Sequence, residues 1–164
     1  MDKITLERIE LLHPKVRDEV KLIYREICEA LTGRAVCRFA YTLRTFKEQE
    51  ALYNQGRTTK GKIVTNAKAG QSYHNYGLAI DIVLIIDDKE ASWDTLKDFD
   101  GDKISDWMEV VKIFKKYGWF WGNDFKTFKD APHFEKTFGY NTTQLLNKYT
   151  SKDFIPGTNY VKLS

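Results

Sequence analysis

The strongest structural signal in the chain is an apolar segment with a carboxylate inside it. Residues 78–86 read LAIDIVLII, and this density of branched apolar residues predicts a buried β-strand. Alternation along the strand places Asp81 on the same face as Ala79 and Val83. A carboxylate is costly to bury without a partner. A metal ion would be such a partner, and so would an arginine such as Arg44; the strand alone does not decide between them.

Helical and extended segments are mixed along the rest of the chain. Apolar spacing and capping residues predict helices over 6–11, 14–33, 46–55, 105–117 and 142–149, and further strands over 35–41, 119–121 and 133–136. No regular βαβ repeat is visible, so we expect an α+β fold: a small antiparallel sheet with packed helices. The 164 residues are suited to a single domain, 1–164, with a loosely held tail from Ser151 onward.

Composition excludes several classes of protein. A hydrophobic content of 42% and a charged content of 30% are typical of a globular chain rather than a disordered one. No apolar run approaches the roughly 18 residues that span a bilayer, and residues 1–7 lack the apolar segment of a signal peptide. We therefore expect synthesis in the cytoplasm without a signal peptide, and no stable membrane association. Two cysteines, Cys28 and Cys37, do not indicate a disulfide framework.

Charge is distributed unevenly although the net charge is only +3. Residues 34–68 hold eight basic and two acidic side chains, and residues 87–109 hold nine acidic and three basic ones. The two regions could flank one cleft, but charge alone favours two solvated loops. The long polar loop 57–72 suggests a functional loop. Its basic part, 57–68, has no aromatic residue to stack on bases, so nucleic acid is not expected as a partner.

A short acidic run suggests calcium only weakly. Residues 98–102 read Asp-Phe-Asp-Gly-Asp, which lacks the Asp-x-Asp-x-Asp-Gly order of an EF-hand loop. From the sequence we expect a solvated acidic turn.

Two of the three histidines are placed to meet the buried aspartate. His74 precedes the strand, and Gly77 permits the turn between them. A loop histidine and Asp81 can then converge on one point. A catalytic zinc site uses three protein ligands, and His133 is available as the third. His13 precedes a helix-starting proline and is better interpreted as a surface or staple residue.

Asp130 lies three residues before His133. In a tight turn its carboxylate would lie near the metal site, where it could take a proton from the attacking water. It could equally be a turn residue before Ala131-Pro132.

These residues form a two-part motif. Ser-x-His-x-x-Gly-x-Ala-x-Asp, followed by Asp-x-x-His, resembles the zinc D-alanyl-D-alanine metallopeptidases and their L-alanyl-D-glutamate endopeptidase relatives, which are bacterial and phage enzymes that cut peptidoglycan peptides. The matching residues are Ser72, His74, Gly77, Ala79, Asp81, Asp130 and His133. Residues 43–49 also resemble the arginine segment of this family, and the resemblance extends over about 13–138.

The resemblance implies a fold like that of D-alanyl-D-alanine peptidases and Hedgehog domains, with Zn²⁺ held by His74, Asp81 and His133. It implies that Asp130 is the catalytic base. Many carboxypeptidase members carry glutamate there, so aspartate at position 130 resembles the L-alanyl-D-glutamate endopeptidase branch, the phage-type lysins.

Three further residues are expected to handle the substrate. Arg44 would bind a substrate carboxylate or stabilise the developing oxyanion, although a structural ion pair is the other interpretation. Ser72 would form hydrogen bonds near the metal. Tyr73 flanks the motif and is expected to line the cleft.

The leading hypothesis is therefore a zinc-dependent peptidoglycan hydrolase that cleaves the L-alanyl-D-glutamate bond of stem peptides. It would be a monomer that acts on the cell wall after phage-type release from the cytoplasm. The alternatives are a D-alanyl-D-alanine carboxypeptidase of the same fold and a non-catalytic zinc-binding module; Asp130 argues against the second.

Overall fold

Five α-helices and five β-strands are present in the computed structural model, which describes residues 1–164. The helices are α1 (Lys3–Ile9), α2 (Pro14–Ala30), α3 (Phe46–Asn54), α4 (Asp106–Lys116) and α5 (Thr142–Thr150). The strands are β1 (Ala35–Tyr41), β2 (Ala79–Ile86), β3 (Glu90–Ser92), β4 (Phe120–Trp121) and β5 (His133–Glu135). Two short 3₁₀ helices cover Tyr73–Tyr76 and Gly122–Asp124. The predicted α+β class is confirmed.

Strand β2 is the centre of the sheet. The order is β1-β2-β5-β4, with β3 also paired to β2, and every pairing is antiparallel. β3 pairs with the C-terminal half of β2 and β5 with its N-terminal half. In the β2–β5 register Asp81 lies opposite His133. The sheet therefore brings together two residues that are 52 positions apart in the chain.

The core lies between the sheet and the helices α2 and α4. Ile80, Ile82 and Leu84 of β2 have no exposed surface, as expected for a strand that is covered on its apolar face. Phe114 of α4 stacks on Phe134 of β5 with ring centroids 4.2 Å apart. This contact fixes the strand that carries His133 against the core.

The structure departs from the sequence prediction in three elements, α1, β3 and α2. α1 covers Lys3–Ile9 rather than 6–11, because Asp2 accepts a hydrogen bond from the Thr5 amide and caps the helix. β3 lies inside a segment expected to be loop, because pairing with the edge of β2 outweighs the weak strand propensity of Glu90–Ser92. α2 ends at Ala30 rather than near Gly33, since Leu31 already has an extended backbone. Cys28 and Cys37 are free thiols.

The C-terminal segment is held more firmly than its sequence suggests. Val161 is only 1% exposed, and it forms an isolated bridge with Phe154. The carbonyl of Val161 lies 2.7 Å from Nε2 of His13, which is itself buried and caps α2 through Nδ1. The expectation of a surface position for His13 is therefore wrong: this buried histidine connects the start of α2 to the C-terminal segment.

None of the helices has both the length and the apolar character needed to cross a membrane.

Candidate active site

The backbone around His74 fixes the direction of its imidazole. Ser72 accepts a hydrogen bond from the His74 amide and caps the 3₁₀ helix, and Gly77 ends this helix with φ +70°. Nδ1 of His74 donates to the carbonyl of Thr42 at 2.8 Å. Since a carbonyl only accepts, the proton is on Nδ1 and the lone pair is on Nε2. His74 is thereby prepared to act as a ligand through Nε2.

Nε2 of His74 is directed at the partly buried Asp81. It lies 3.1 Å from Oδ1 of Asp81, but the pair lacks hydrogen-bond geometry, so Nε2 is a buried nitrogen without a donor. Nδ1 of His133 lies 3.0 Å from the same Oδ1. One ligand atom from each of the three residues lies within 4.8 Å of the other two. An unpartnered buried lone pair beside a second imidazole and a carboxylate fits a metal ion of the zinc type.

The electrostatics of this trio reflect its close packing. Burial alone would raise the pKa of Asp81, but the hydrogen bond from His133 and the neighbouring imidazole of His74 hold it well below its usual range. Burial would lower the pKa of His133, yet its hydrogen bonds to Asp81 and Glu135 raise it to about 9. Asp81 forms no ion pair with Arg44, so the alternative partner considered for this carboxylate is excluded.

Glu135 is a site residue that the sequence analysis missed. Its Oε1 lies 2.7 Å from Nε2 of His133, so it holds the imidazole with Nδ1 turned toward Asp81. Outer carboxylates of this kind orient metal-binding histidines and increase their basicity. Its spacing from His133 could have identified it, because residues two positions apart in a strand share a face.

A cleft of about 680 Å³ opens over the trio. Arg44, Ser72, Asp130 and Thr65 line it together with His74, Asp81 and His133. Thr65 belongs to the long polar loop that the sequence marked as functional, so that loop forms part of the wall. No acidic residue from 87–109 lines the cleft, and the idea of two charged regions flanking it is wrong.

Arg44 presents its guanidinium to this cleft without a carboxylate partner. Nη1 donates to Oε1 of Gln49 at 3.1 Å, and the guanidinium lies 5.5 Å from the ring centroid of Tyr41. No acidic oxygen lies within ion-pair distance, so the structural ion pair considered for Arg44 is absent. A half-buried arginine held by neutral neighbours retains its capacity to bind a carboxylate.

Asp130 lines the cleft, and its backbone packs closely against Gly122. Its amide donates to the carbonyl of Gly122 at 3.0 Å, and any side chain at position 122 would collide with the Asp130 carbonyl. Partial desolvation in the cleft, together with the negative charge of Asp81, raises the pKa of Asp130 above its usual value. A raised pKa makes a carboxylate a better proton acceptor near neutral pH.

Tyr73 is the one predicted site residue that the structure places elsewhere. Its hydroxyl donates to the carbonyl of Tyr140 at 2.7 Å, and its ring packs against the core. It is not among the residues that line the cleft. The contacts of Tyr73 in the structure are those of a packing residue.

Comparisons with known proteins agree with this geometry. Residues 65–136, which contain His74, Asp81, Asp130 and His133, match the family described as D-alanyl-D-alanine carboxypeptidase. Over 92 residues the chain is 56% identical to the peptidoglycan L-alanyl-D-glutamate endopeptidase CwlK of Bacillus subtilis. Residues 65–136 of the chain are thus similar to this peptidase family.

The coverage and the sequence identity of each match determine what can be concluded about this chain. The aligned part covers 56% of this chain and 55% of CwlK, so the match spans about half the length of that relative. Among solved structures, the Serratia marcescens L-Ala D-Glu endopeptidase ChiX superimposes with a TM-score of 0.56, covering 84% of this chain and 90% of that one. At 21% identity, this second likeness establishes a shared fold.

Proposed function

We propose that the chain is a zinc-dependent endopeptidase that hydrolyses the L-alanyl-D-glutamate bond of peptidoglycan stem peptides. The observation that carries the proposal is the convergence of His74, Asp81 and His133 within 4.8 Å, in a cleft that also contains Arg44 and Asp130. The activity named for CwlK supports the choice of bond. All residues of the site come from one chain, so we treat the enzyme as a monomer.

The metal would be held by Nε2 of His74, Oδ1 of Asp81 and Nδ1 of His133, the atoms that face one another. When bound, zinc supplies a Lewis acid that polarises a carbonyl and makes water acidic near pH 7. His133 must lose its Nδ1 proton to become a ligand, while its Nε2–H continues to donate to Glu135. Glu135 therefore keeps the ring in place in both states.

Asp130 is the proposed general base. Its raised pKa, caused by partial desolvation and by Asp81, suits a group that accepts the proton of the attacking water and returns it to the leaving amine. Arg44 would bind a carboxylate of the stem peptide or the developing oxyanion, because its guanidinium has no carboxylate partner in the protein. Ser72 lines the same cleft and keeps His74 oriented.

The place of action follows from the substrate. We propose that the protein works on the cell wall, after synthesis in the cytoplasm and phage-type release by a separate membrane-permeabilising partner. Peptidoglycan stem peptides are the only partner that the protein itself binds in this proposal.

Mass spectrometry of digested sacculi tests which bond is cut. Zinc-loaded protein should release fragments with a new N-terminal D-glutamate, and the zinc-free protein should release none. An Asp130→Asn variant is the matched inactive control. Fragments that lose only the terminal D-alanine would contradict the endopeptidase proposal.

That outcome would favour a second candidate. The matched family carries the description D-alanyl-D-alanine carboxypeptidase, and such an enzyme would use the same metal site. The difference lies in which part of the peptide occupies the cleft.

A further inference from the structure

Five carboxylates crowd together between β3 and α4, away from the cleft. One oxygen from each of Asp98, Asp100 and Asp106 lies within 4.8 Å of the other two, and the same holds for Asp100, Asp102 and Glu109. The two groups share Asp100. No lysine or arginine nitrogen lies within 4.0 Å of any of them, although like charges at this spacing repel one another. The cluster therefore lacks a compensating positive charge.

Buried oxygens without partners provide an independent sign of a missing ligand. Asp106 has no exposed surface. Its Oδ1 accepts from the amide of Phe99 at 2.8 Å, but its Oδ2 has no partner, and neither does the buried Oε2 of Glu109. A buried charged oxygen without a donor or counter-ion is strongly unfavourable. A cation among these side chains would remove that penalty.

The spacing of these residues identifies the kind of cation. Counted from Asp98, the acids fall at positions 1, 3, 5, 9 and 12 of a 12-residue loop, 98–109, which are the side-chain ligand positions of an EF-hand. The acids in question are Asp98, Asp100, Asp102, Asp106 and Glu109. Position 7, which supplies a backbone carbonyl in such loops, is Ile104. α4 begins at position 9 and continues as the exiting helix.

The loop departs from the EF-hand pattern in one respect, since its glycine is at position 4 instead of position 6. The structure shows that the residue at position 6 nevertheless has the backbone conformation that the loop needs. Position 6 is Lys103, and its φ is +74°, the left-handed conformation for which glycine is normally required. The turn is made by backbone amides of Gly101 and Lys103, which donate to the two carboxylate oxygens of Asp98 at 2.7 and 2.8 Å.

We propose that residues 98–109 form a calcium-binding loop. Calcium takes six to eight oxygen ligands in flexible geometry, and this loop offers five carboxylates and a carbonyl. Zinc prefers nitrogen and sulfur donors in a four-coordinate site, which is the chemistry of the other cluster. The chain thus holds two metal sites of different chemical character, one for reaction and one for structure.

The calcium ion would stabilise the elements that support the active site. Asp100 also accepts hydrogen bonds from the amide and hydroxyl of Thr32, in the connection between α2 and β1. α4 carries Phe114, which stacks on Phe134 next to His133. Calcium would hold the start of α4 to the rest of the molecule, so we expect its main effect to be on thermal stability.

Thermal unfolding with and without calcium tests the proposal. The protein is loaded with zinc, freed of calcium on a resin and titrated with Ca²⁺. At a concentration 100-fold above the dissociation constant, Tm should rise by about 5–10 °C. Glu109→Gln, which keeps the shape of the side chain, should reduce the rise by at least half. Glu90→Gln, which removes an exposed acid of β3, is the control and should behave as the wild type.

Terbium luminescence provides a second readout that is independent of unfolding. Trp107 follows Asp106 and is fully buried, so it can transfer excitation energy to Tb³⁺ in the loop. Calcium should displace the terbium, and both Glu109→Gln and Asp102→Asn should weaken Ca²⁺ binding at least tenfold. The proposal is overturned if Tm does not change up to about 10 mM Ca²⁺, which exceeds the weakest range of such loops. It is also overturned if Glu109→Gln shows the wild-type response.

Discussion

Protonation of His133 should make the stability of the metal-free protein strongly pH-dependent. Its carboxylate partners, Asp81 and Glu135, raise its pKa from the usual 6.5 to about 9. Because the folded-state pKa is the higher one, this stabilisation is fully present below pH 6.5 and is lost as the pH rises toward 9. A difference from 6.5 to about 9 corresponds to about 3 kcal/mol of unfolding free energy.

A variant comparison isolates this contribution from other titrating groups. The unfolding free energies of the metal-free wild type and of a His133→Asn variant are measured in urea from pH 6 to pH 10. The wild type should lose about 3 kcal/mol relative to the variant, mostly between pH 6.5 and 9. A constant difference across that range would refute the assignment of the proton to His133.

The same proton must leave before His133 can bind a metal. The apparent zinc affinity should therefore rise about tenfold per pH unit from 6.5 to about 9 and then level off. A competition titration against a chelator of known pH dependence measures this directly. An affinity that levels off near pH 7 would contradict the raised pKa.

Three further variants separate the roles of neighbouring residues. Asp130→Asn should keep its zinc but lose at least about 100-fold in kcat; metal loss on elemental analysis would contradict its role as base. Glu135→Gln should weaken zinc binding about 10–100-fold through its hydrogen bond to His133, and unchanged affinity in a chelator titration would argue against that role. Phe134→Ala should lower the unfolding free energy by about 3–5 kcal/mol, since the ring is fully buried. A loss below about 1 kcal/mol in urea denaturation would show that the stack with Phe114 contributes little to stability.

Much of the fold and the convergence of His74, Asp81 and His133 could be predicted because the relevant signals are local. The apolar strand with Asp81 inside it marks the centre of the sheet, and the unusual carboxylate directs attention to the histidines that could reach it. The capping box at Thr45 correctly predicted the start of α3. These inferences need only spacing and elementary energetics.

The missed features depend on contacts between distant segments. β3 forms because β2 offers a free edge, and the C-terminal segment contacts the buried His13. In both cases the residues of the segment do not reveal which partner they will contact. The position of Tyr73 beside the motif predicts that it lines the cleft, yet its hydroxyl donates to the carbonyl of Tyr140, 67 positions away in the chain. The acidic loop lacks a glycine at position 6, and only the backbone angle of Lys103 shows that a lysine meets the requirement.

The zinc content of the purified protein tests the central claim most directly. Elemental mass spectrometry of the wild type and of an Asp81→Asn variant, dialysed together against the same buffer, gives zinc per chain. The account predicts one zinc in the wild type and a large loss in the variant, because Asp81 contacts both imidazoles. Equal zinc in the two proteins, or none in an active wild type, would contradict it.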